Sequence, residues 1–181
     1  MAVVIGIVVC MTGREGYEYV SHHIKEDIQY PRPYQELVQT YAKEYEVPQS
    51  VVYGVMRTES NFKEKAKSQV GACGLMQLMP DTFTWLQGKL GENLDDQEIF
   101  DPETNIQYGT YYLSWLHEIY PEWETVYAAY NAGPKSVNAW LEKYDEDQDG
   151  VLSTIPYAET AGYVEKVGAA REQYQEIYHM S

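Results

Sequence analysis

The sequence predicts a single, mainly α domain of six or seven short helices with little or no β-structure. Apolar residues recur at spacings of three and four in segment after segment, which is the period of one helix face. Nothing alternates with period two for long, and proline and glycine fall between the periodic segments as starts and stops. At 181 residues, 44% of them hydrophobic, the chain is long enough for one ordinary domain with a real core.

Residues 2–11, AVVIGIVVCM, form an apolar run about half the ~20 residues that a membrane-spanning helix needs. The run lacks the basic start of a secretory signal, no clear small-residue cleavage site follows it, and Val8 and Val9 before Cys10 do not suit a lipoprotein site. It reads as the tail of an export signal or membrane anchor; a short buried strand or helix start is the competing reading. A polar linker follows, so residues 1–32 are expected to stand outside a domain that occupies 33–181. Cys10 and Cys73 make no disulfide framework, and with only scattered histidines there is no basis for a zinc site.

The first helix carries Tyr34, Leu37, Val38, Tyr41, Ala42 and Tyr45 on one stripe. Pro48 opens the second at a first-turn position, where a missing N–H costs nothing. Its stripe is Val52, Val55, Met56 and Glu59, which puts a carboxylate where the pattern asks for a core residue. Burial disfavours the charged form and raises the pKa, which suits a general acid near neutral pH; a glutamate swung out from a fraying helix end is the plain alternative. Residues 61–74 hold few periodic apolar positions and read as a loop. Pro80 and Asp81 lead into a helix through Phe83, Trp85, Leu86 and Leu90 that Gly91 closes. Asp101 and Pro102 are an N-cap and first-turn pair, opening a helix with Ile106, Gly109, Leu113 and Leu116 on one side. Trp123, Val126, Tyr127 and Tyr130 mark the next helix. Gly133 stops it, and Pro134 starts another that ends near Leu141. The last helix is expected from about Tyr157 to Tyr178.

The formal net charge is −15, a field that repels a phosphate backbone, so nucleic acid is excluded as a partner. No polybasic run offers a handle on anionic lipid. Eighteen tyrosines and four tryptophans against three phenylalanines supply rings with an apolar face and a polar tip, as sugar-binding clefts use, although a helical core absorbs tyrosines equally well.

Glu59-Ser60-Asn61-Phe62, followed by Ser68-Gln69-Val70-Gly71-Ala72-Cys73-Gly74-Leu75-Met76-Gln77-Leu78-Met79-Pro80, resembles the catalytic core of the soluble lytic transglycosylase family (the SLT domain, with a lysozyme-like fold). Ala129-Tyr130-Asn131-Ala132-Gly133 is similar to the family's third motif, and Ile155-Pro156-Tyr157-Ala158-Glu159-Thr160-Ala161-Gly162-Tyr163-Val164 to its C-terminal one. The four motifs occur in order across roughly 34–167. The resemblance implies an extracytoplasmic bacterial enzyme, acting without a cofactor and as a monomer on peptidoglycan glycan strands. Its membrane association would come only through the N-terminal segment. The family cleaves the β-1,4 bond between N-acetylmuramic acid and N-acetylglucosamine without water and leaves a 1,6-anhydromuramoyl end. Glu59 occupies the position of its acid–base glutamate. Ser68 matches a serine that hydrogen-bonds near the reacting sugar. Gln77, Met79, Tyr130 and Asn131 match cleft positions, with Tyr130 near the catalytic carboxyl. Glu159 and Tyr163 match substrate-binding positions of the last motif. Phe83 stands where the family usually has alanine, adding bulk at the cleft edge or in the helix packing.

Hydrolytic glycosidases need two carboxylates, about 5–5.5 Å apart to retain configuration and about 6.5–9.5 Å apart to invert it. Just downstream of Glu59 the other acids are Glu64 and Asp81, neither of which looks like a motif carboxylate. Glu159 is the one remaining motif carboxylate: within either distance of Glu59 it would make a muramidase that uses water the rival enzyme, although the resemblance implies that it lines the substrate cleft; a non-catalytic peptidoglycan-binding module is the rival from another class. Asp145, Asp147 and Asp149, with Gly150, match the first half of an EF-hand loop, but Pro156 stands where the bidentate glutamate belongs. A solvated acidic turn is the better reading, with weak calcium binding as the alternative.

Overall fold

A computed structural model describes residues 28–145 and 148–180. Among the described residues seven α-helices follow one another: α1 (Gln35–Glu44), α2 (Gln49–Ser60), α3 (Pro80–Leu90), α4 (Pro102–Ile119), α5 (Trp123–Ala132), α6 (Pro134–Tyr144) and α7 (Ala158–Tyr178), with a 3-10 turn at Asp96–Phe100 between α3 and α4. The β-structure found among the described residues is two isolated antiparallel bridges, Lys67 with Cys73 and Cys73 with Leu78. The apolar run 2–11 and most of the expected linker lie outside the described residues.

α2 is the centre of the core. Val51, Val52, Tyr53, Val55 and Met56 are all buried, so this helix is apolar nearly all round, as a helix enclosed by others must be. The long α7 lies along it. Gly54 permits the close crossing, since a Cβ there would sit 3.1 Å from the Val167 carbonyl oxygen and 3.3 Å from the Arg171 amide nitrogen. Ile106, Tyr108, Leu113 and Leu116 of α4 close the core from another side.

The helix starts follow the sequence signals closely. Asp101 accepts a hydrogen bond from the Thr104 amide at 2.9 Å, with Pro102 in the first turn. Pro80 and Pro134 also sit in first turns, whereas Pro48 is the N-cap residue of α2, one place ahead of the helix. Gly91 closes α3 at φ 72°. α6 extends past Leu141 to Tyr144. The 3-10 turn carried no periodic signal because it is only five residues long. Phe83 turns inward: it is buried and packs on Tyr108 with ring centroids 4.8 Å apart, so its bulk serves helix packing.

Packing on the domain begins ahead of Pro33. The Tyr174 hydroxyl donates to the Pro31 carbonyl at 2.9 Å and the Tyr178 hydroxyl to that of Tyr30 at 2.6 Å. Arg57 lies over the Tyr30 ring and donates to the Gln29 carbonyl, while Arg32 covers Tyr178. Elsewhere three phenols donate to carboxylates: Tyr34 to Glu64 at 2.7 Å, Tyr41 to Glu103 at 2.9 Å and Tyr108 to Glu92 at 2.6 Å. Burial first, and then the carboxylate bond, pushes the Tyr34 phenol up to about 12 and raises the other two as well.

One buried amide organises the segment between α2 and α3. Asn105, on α4, accepts from the Met76 amide at 2.7 Å and donates to the carbonyls of Cys73 at 3.1 Å and Ile99 at 2.7 Å. Gly74 allows that approach: its φ is 80°, and a Cβ there would stand 2.7 Å from the Ile99 carbonyl oxygen. Truncating Asn105 strands the Met76 amide and the Ile99 carbonyl, each costing about 1–3 kcal/mol when unsatisfied, while the Cys73 carbonyl keeps its bond from the Leu78 amide at 2.9 Å. Asn105→Ala is therefore expected to lower stability by roughly 3 kcal/mol or more, read as a shifted midpoint in urea denaturation with an unchanged slope.

Candidate active site

Glu59 is the next-to-last residue of α2. The helix stops there because Asn61 and Phe62 both take left-handed backbone angles, φ 48° and 63°; asparagine tolerates that region better than most residues. The next position in the chain, Ser60, donates to the Leu75 carbonyl at 2.6 Å and back to the Met56 carbonyl at 3.2 Å. Tyr130 of α5 donates to the Met76 carbonyl at 2.8 Å. The 73–76 segment is thus held by α2 through Ser60, by α4 through Asn105 and by α5 through Tyr130. Glu59 and Tyr130 stand at the two ends of that linkage.

Tyr130 and Tyr163 both interact electrostatically with the Glu59 carboxyl. Burial pushes the carboxyl from its ordinary 4.5 up to about 7, and the neighbouring Tyr163 hydroxyl pulls part of that rise back. The Tyr163 hydroxyl is buried and makes no well-formed hydrogen bond, yet it lies near enough to Glu59 to favour the anion. Burial, followed by the Glu59 charge, raises both phenols well above their ordinary value. No carboxylate among the described residues contributes to the Glu59 shift. Glu64 is bonded to Tyr34, and Glu159 is exposed near the start of α7.

The remaining sequence candidates fall into two groups. Ser68 and Gln77 build the loop between α2 and α3. The Ser68 hydroxyl accepts from the Ala72 amide at 2.9 Å, and the Gln77 amide group donates to the Ala66 carbonyl at 3.2 Å and the Gly74 carbonyl at 2.9 Å. Met79 is 41% exposed just ahead of α3, which rules out plain core. Asn131 is exposed and accepts from the Thr160 hydroxyl at 2.9 Å, joining the end of α5 to the first turn of α7 beside Glu159. The structure therefore gathers Glu59, Tyr130 and Tyr163 around one carboxyl, with the others tied into the flanking loop and helix ends. Asn105 escaped the sequence reading, because a polar residue beside an apolar stripe reads as surface.

In the acidic turn after α6, the Asp145 carboxylate accepts from the amides of Asp149 at 3.3 Å and Gly150 at 2.9 Å, and that of Asp149 accepts from Val151 at 2.9 Å. Asp147 lies outside the described residues. Among those described, no group of three or more His, Cys, Asp or Glu side chains is arranged to hold a metal ion.

A helical domain built round a single protonatable carboxyl between two tyrosines is equipped for proton transfer near neutral pH. The family model "Transglycosylase SLT domain" matches residues 36–152, and the chain belongs to that family. It is 37% identical over 159 residues to the soluble lytic murein transglycosylase of Escherichia coli K12, covering 84% of this chain and 24% of that protein. Its fold matches the crystal structure of the 70 kDa soluble lytic transglycosylase of E. coli with a TM-score of 0.77 at 36% identity, over 86% of this chain and 26% of that one. An inactive glutamate-to-glutamine mutant of lytic transglycosylase Slt from Pseudomonas aeruginosa matches with a TM-score of 0.74 at 34% identity, over 84% and 25%. The chain thus has their all-α, lysozyme-like fold and spans about a quarter of the length of these relatives.

Because the folded pKa of Glu59 is raised, its contribution to stability is fully present below about 4.5 and is lost as pH climbs through about 7. The loss is at most about 1.4 kcal/mol per pH unit across that window. Glu59→Gln is expected to flatten this slope and to be more stable than the native protein at pH 8, as checked by denaturation series from pH 4 to 8. Tyr163→Phe removes the group that favours the anion, so the Glu59 titration should move to higher pH, visible by carboxyl-labelled NMR.

Proposed function

We propose that this domain is a peptidoglycan lytic transglycosylase that cleaves the MurNAc-β-1,4-GlcNAc bond without water. The observation that carries the proposal is the half-buried Glu59 carboxyl, held by desolvation near a pKa of about 7 and shifted by no second carboxylate among the described residues. A group poised there can give a proton and then take one, as one-residue acid–base chemistry requires. As acid, Glu59 protonates the glycosidic oxygen while the bond from that oxygen to C1 of the muramoyl residue breaks. The substrate's own 2-acetamido group stabilises the positive charge at C1, so no protein nucleophile is called for. The Glu59 carboxylate then removes the proton from the muramoyl O6 hydroxyl as O6 attacks C1. A 1,6-anhydromuramoyl end results, and Glu59 regains its proton for the next turnover.

Substrate binding falls to Ser68, Gln77, Met79, Asn131 and Glu159, with Tyr130 and Tyr163 holding the carboxyl. The substrate places the working site outside the cytoplasmic membrane, reached as an exported or N-terminally anchored monomer. A water-using muramidase would want a second carboxylate to position the water or to trap the glycosyl cation. The relation to proteins named lytic transglycosylases and the lack of a second shifted carboxyl among the described residues both favour the anhydro product.

Digestion of purified sacculi followed by mass spectrometry tests the proposal. Anhydromuramoyl ends are expected, and reducing muramic acid ends would assign a muramidase instead. Glu59→Gln should lose activity by about a thousandfold or more while keeping its helical circular dichroism; loss of one acid–base group costs about 10²–10⁴-fold per proton transfer.

A further inference from the structure

Behind the Glu59–Tyr163 pair, polar groups continue into the interface where α5 and α7 pack on one another. Among the described residues five side-chain polar atoms are buried without a well-formed hydrogen bond, and three of them are the Tyr163 hydroxyl, the Tyr127 hydroxyl and the Arg171 Nε. Tyr127 stands one turn ahead of Tyr130 on α5, and Arg171 about two turns beyond Tyr163 on α7. The Arg171 guanidinium lies 6.0 Å from the Trp123 ring centre, and Trp123 stacks on Tyr127 with centroids 6.1 Å apart. The Arg171 backbone is fixed where α7 crosses α2, its amide nitrogen 3.3 Å from where a Cβ on Gly54 would sit. Burial pushes the Tyr127 phenol up to about 12, and the Arg171 guanidinium pulls part of that rise back. Tyr127 in turn interacts electrostatically with Tyr163, and the Tyr163 hydroxyl with the Glu59 carboxyl. Around this series Glu124 of α5 also acts on Tyr127, the His117 ring of α4 stacks on Trp123 at 4.1 Å, and Tyr130 acts on Glu59 from the other side of the site.

We propose that Arg171 is a positioning residue for the acid–base step, fixing the direction of a hydroxyl series that runs from Arg171 through Tyr127 and Tyr163 to Glu59. This role presupposes Glu59 as the acid–base group of the function proposed above. A guanidinium can only donate, so the Tyr127 oxygen receives its N–H and turns its own hydrogen toward Tyr163. The Tyr163 oxygen is then an acceptor on one side, and its O–H a donor to Glu59 on the other. Hydrogen-bonding groups in series polarise one another, so each donation strengthens the last one, which favours the Glu59 anion. Without the donor-only end the Tyr127 hydroxyl is free to reverse, and Tyr163 to turn its hydrogen away from the carboxyl. Arg171 is not among the groups that shift Glu59 directly; its influence passes through the two phenols.

Carboxyl-labelled NMR reads the Glu59 titration without any turnover. Arg171→Met and Tyr127→Phe, each confirmed folded by circular dichroism, should move it up by about half a pH unit or more, about a threefold or larger change in the acid's dissociation constant. Arg171→Lys, still donor-only, should restore most of the native titration. Action through the phenols also predicts non-additivity: in a Tyr163→Phe background, Arg171→Met should add nothing further. On glycan strands the alkaline limb of the kcat/KM profile, which reports the protonated acid of the free enzyme, should follow the titration while KM changes little. A purely structural role would lower the melting temperature and leave the titration where it is in both variants, and that result overturns the proposal. So does an equal shift from Arg171→Met with and without the Tyr163 hydroxyl, which would mark a direct field on Glu59. If Arg171→Met does not fold, Tyr127→Phe, which removes one oxygen, decides alone. Failure of the transglycosylase reading would show separately, as native protein that leaves sacculi uncut or releases no anhydro ends.

Discussion

Three hydrogen bonds to one amide side chain set the geometry on which the rest of this domain depends. Asn105 reaches from α4 into the 73–76 segment and satisfies its backbone, along with the Ile99 carbonyl of the 3-10 turn. With that segment fixed, the buried Leu75 and Met76 carbonyls are positioned as acceptors for Ser60 and Tyr130. Those two side chains tie α2 and α5 to the same short piece of chain. The carboxyl of Glu59 and the ring of Tyr130 therefore inherit their relation from a residue that touches neither. A buried amide with every bond made narrows a core to one arrangement, since any slip leaves polar groups stranded.

Placing an acid inside this framework works against the fold. Desolvation raises the Glu59 pKa, so the protein must either hold a proton or expose a charge to an apolar surround. Near neutral pH the two forms have similar free energies, which is the condition for a group that gives and takes protons in turn. The stability to tolerate it comes from the close crossing of α2 and α7 at Gly54 and from the buried run 51–56. Tyr163 arrives from α7, the same helix that makes this crossing, so packing and proton chemistry share one interface.

The helical order was legible in the sequence because its punctuation is physical. Asp101 with Pro102, Pro80, Pro134 and Gly91 each solve a helix-end problem in the way their chemistry dictates. Glu59 was legible as an apolar-stripe position filled by an acid, and its neighbours Tyr130 and Tyr163 through the motif resemblance. Asn105 was not, because its partners lie 29 to 32 residues back in the chain or one turn outside the helix.

The phenol–carboxylate bonds bear on how such an acidic chain stays folded. With 28 acidic side chains against 13 lysines and arginines, most carboxylates have no cation to pair with. Tyr34, Tyr41 and Tyr108 meet three of them with a neutral donor instead. Dissolved salt weakens attraction between full charges far more than a short hydrogen bond from a hydroxyl. Raised ionic strength would also quiet the repulsion among the surplus acids. A domain assembled in this manner gains from brine where one laced with ion pairs would lose.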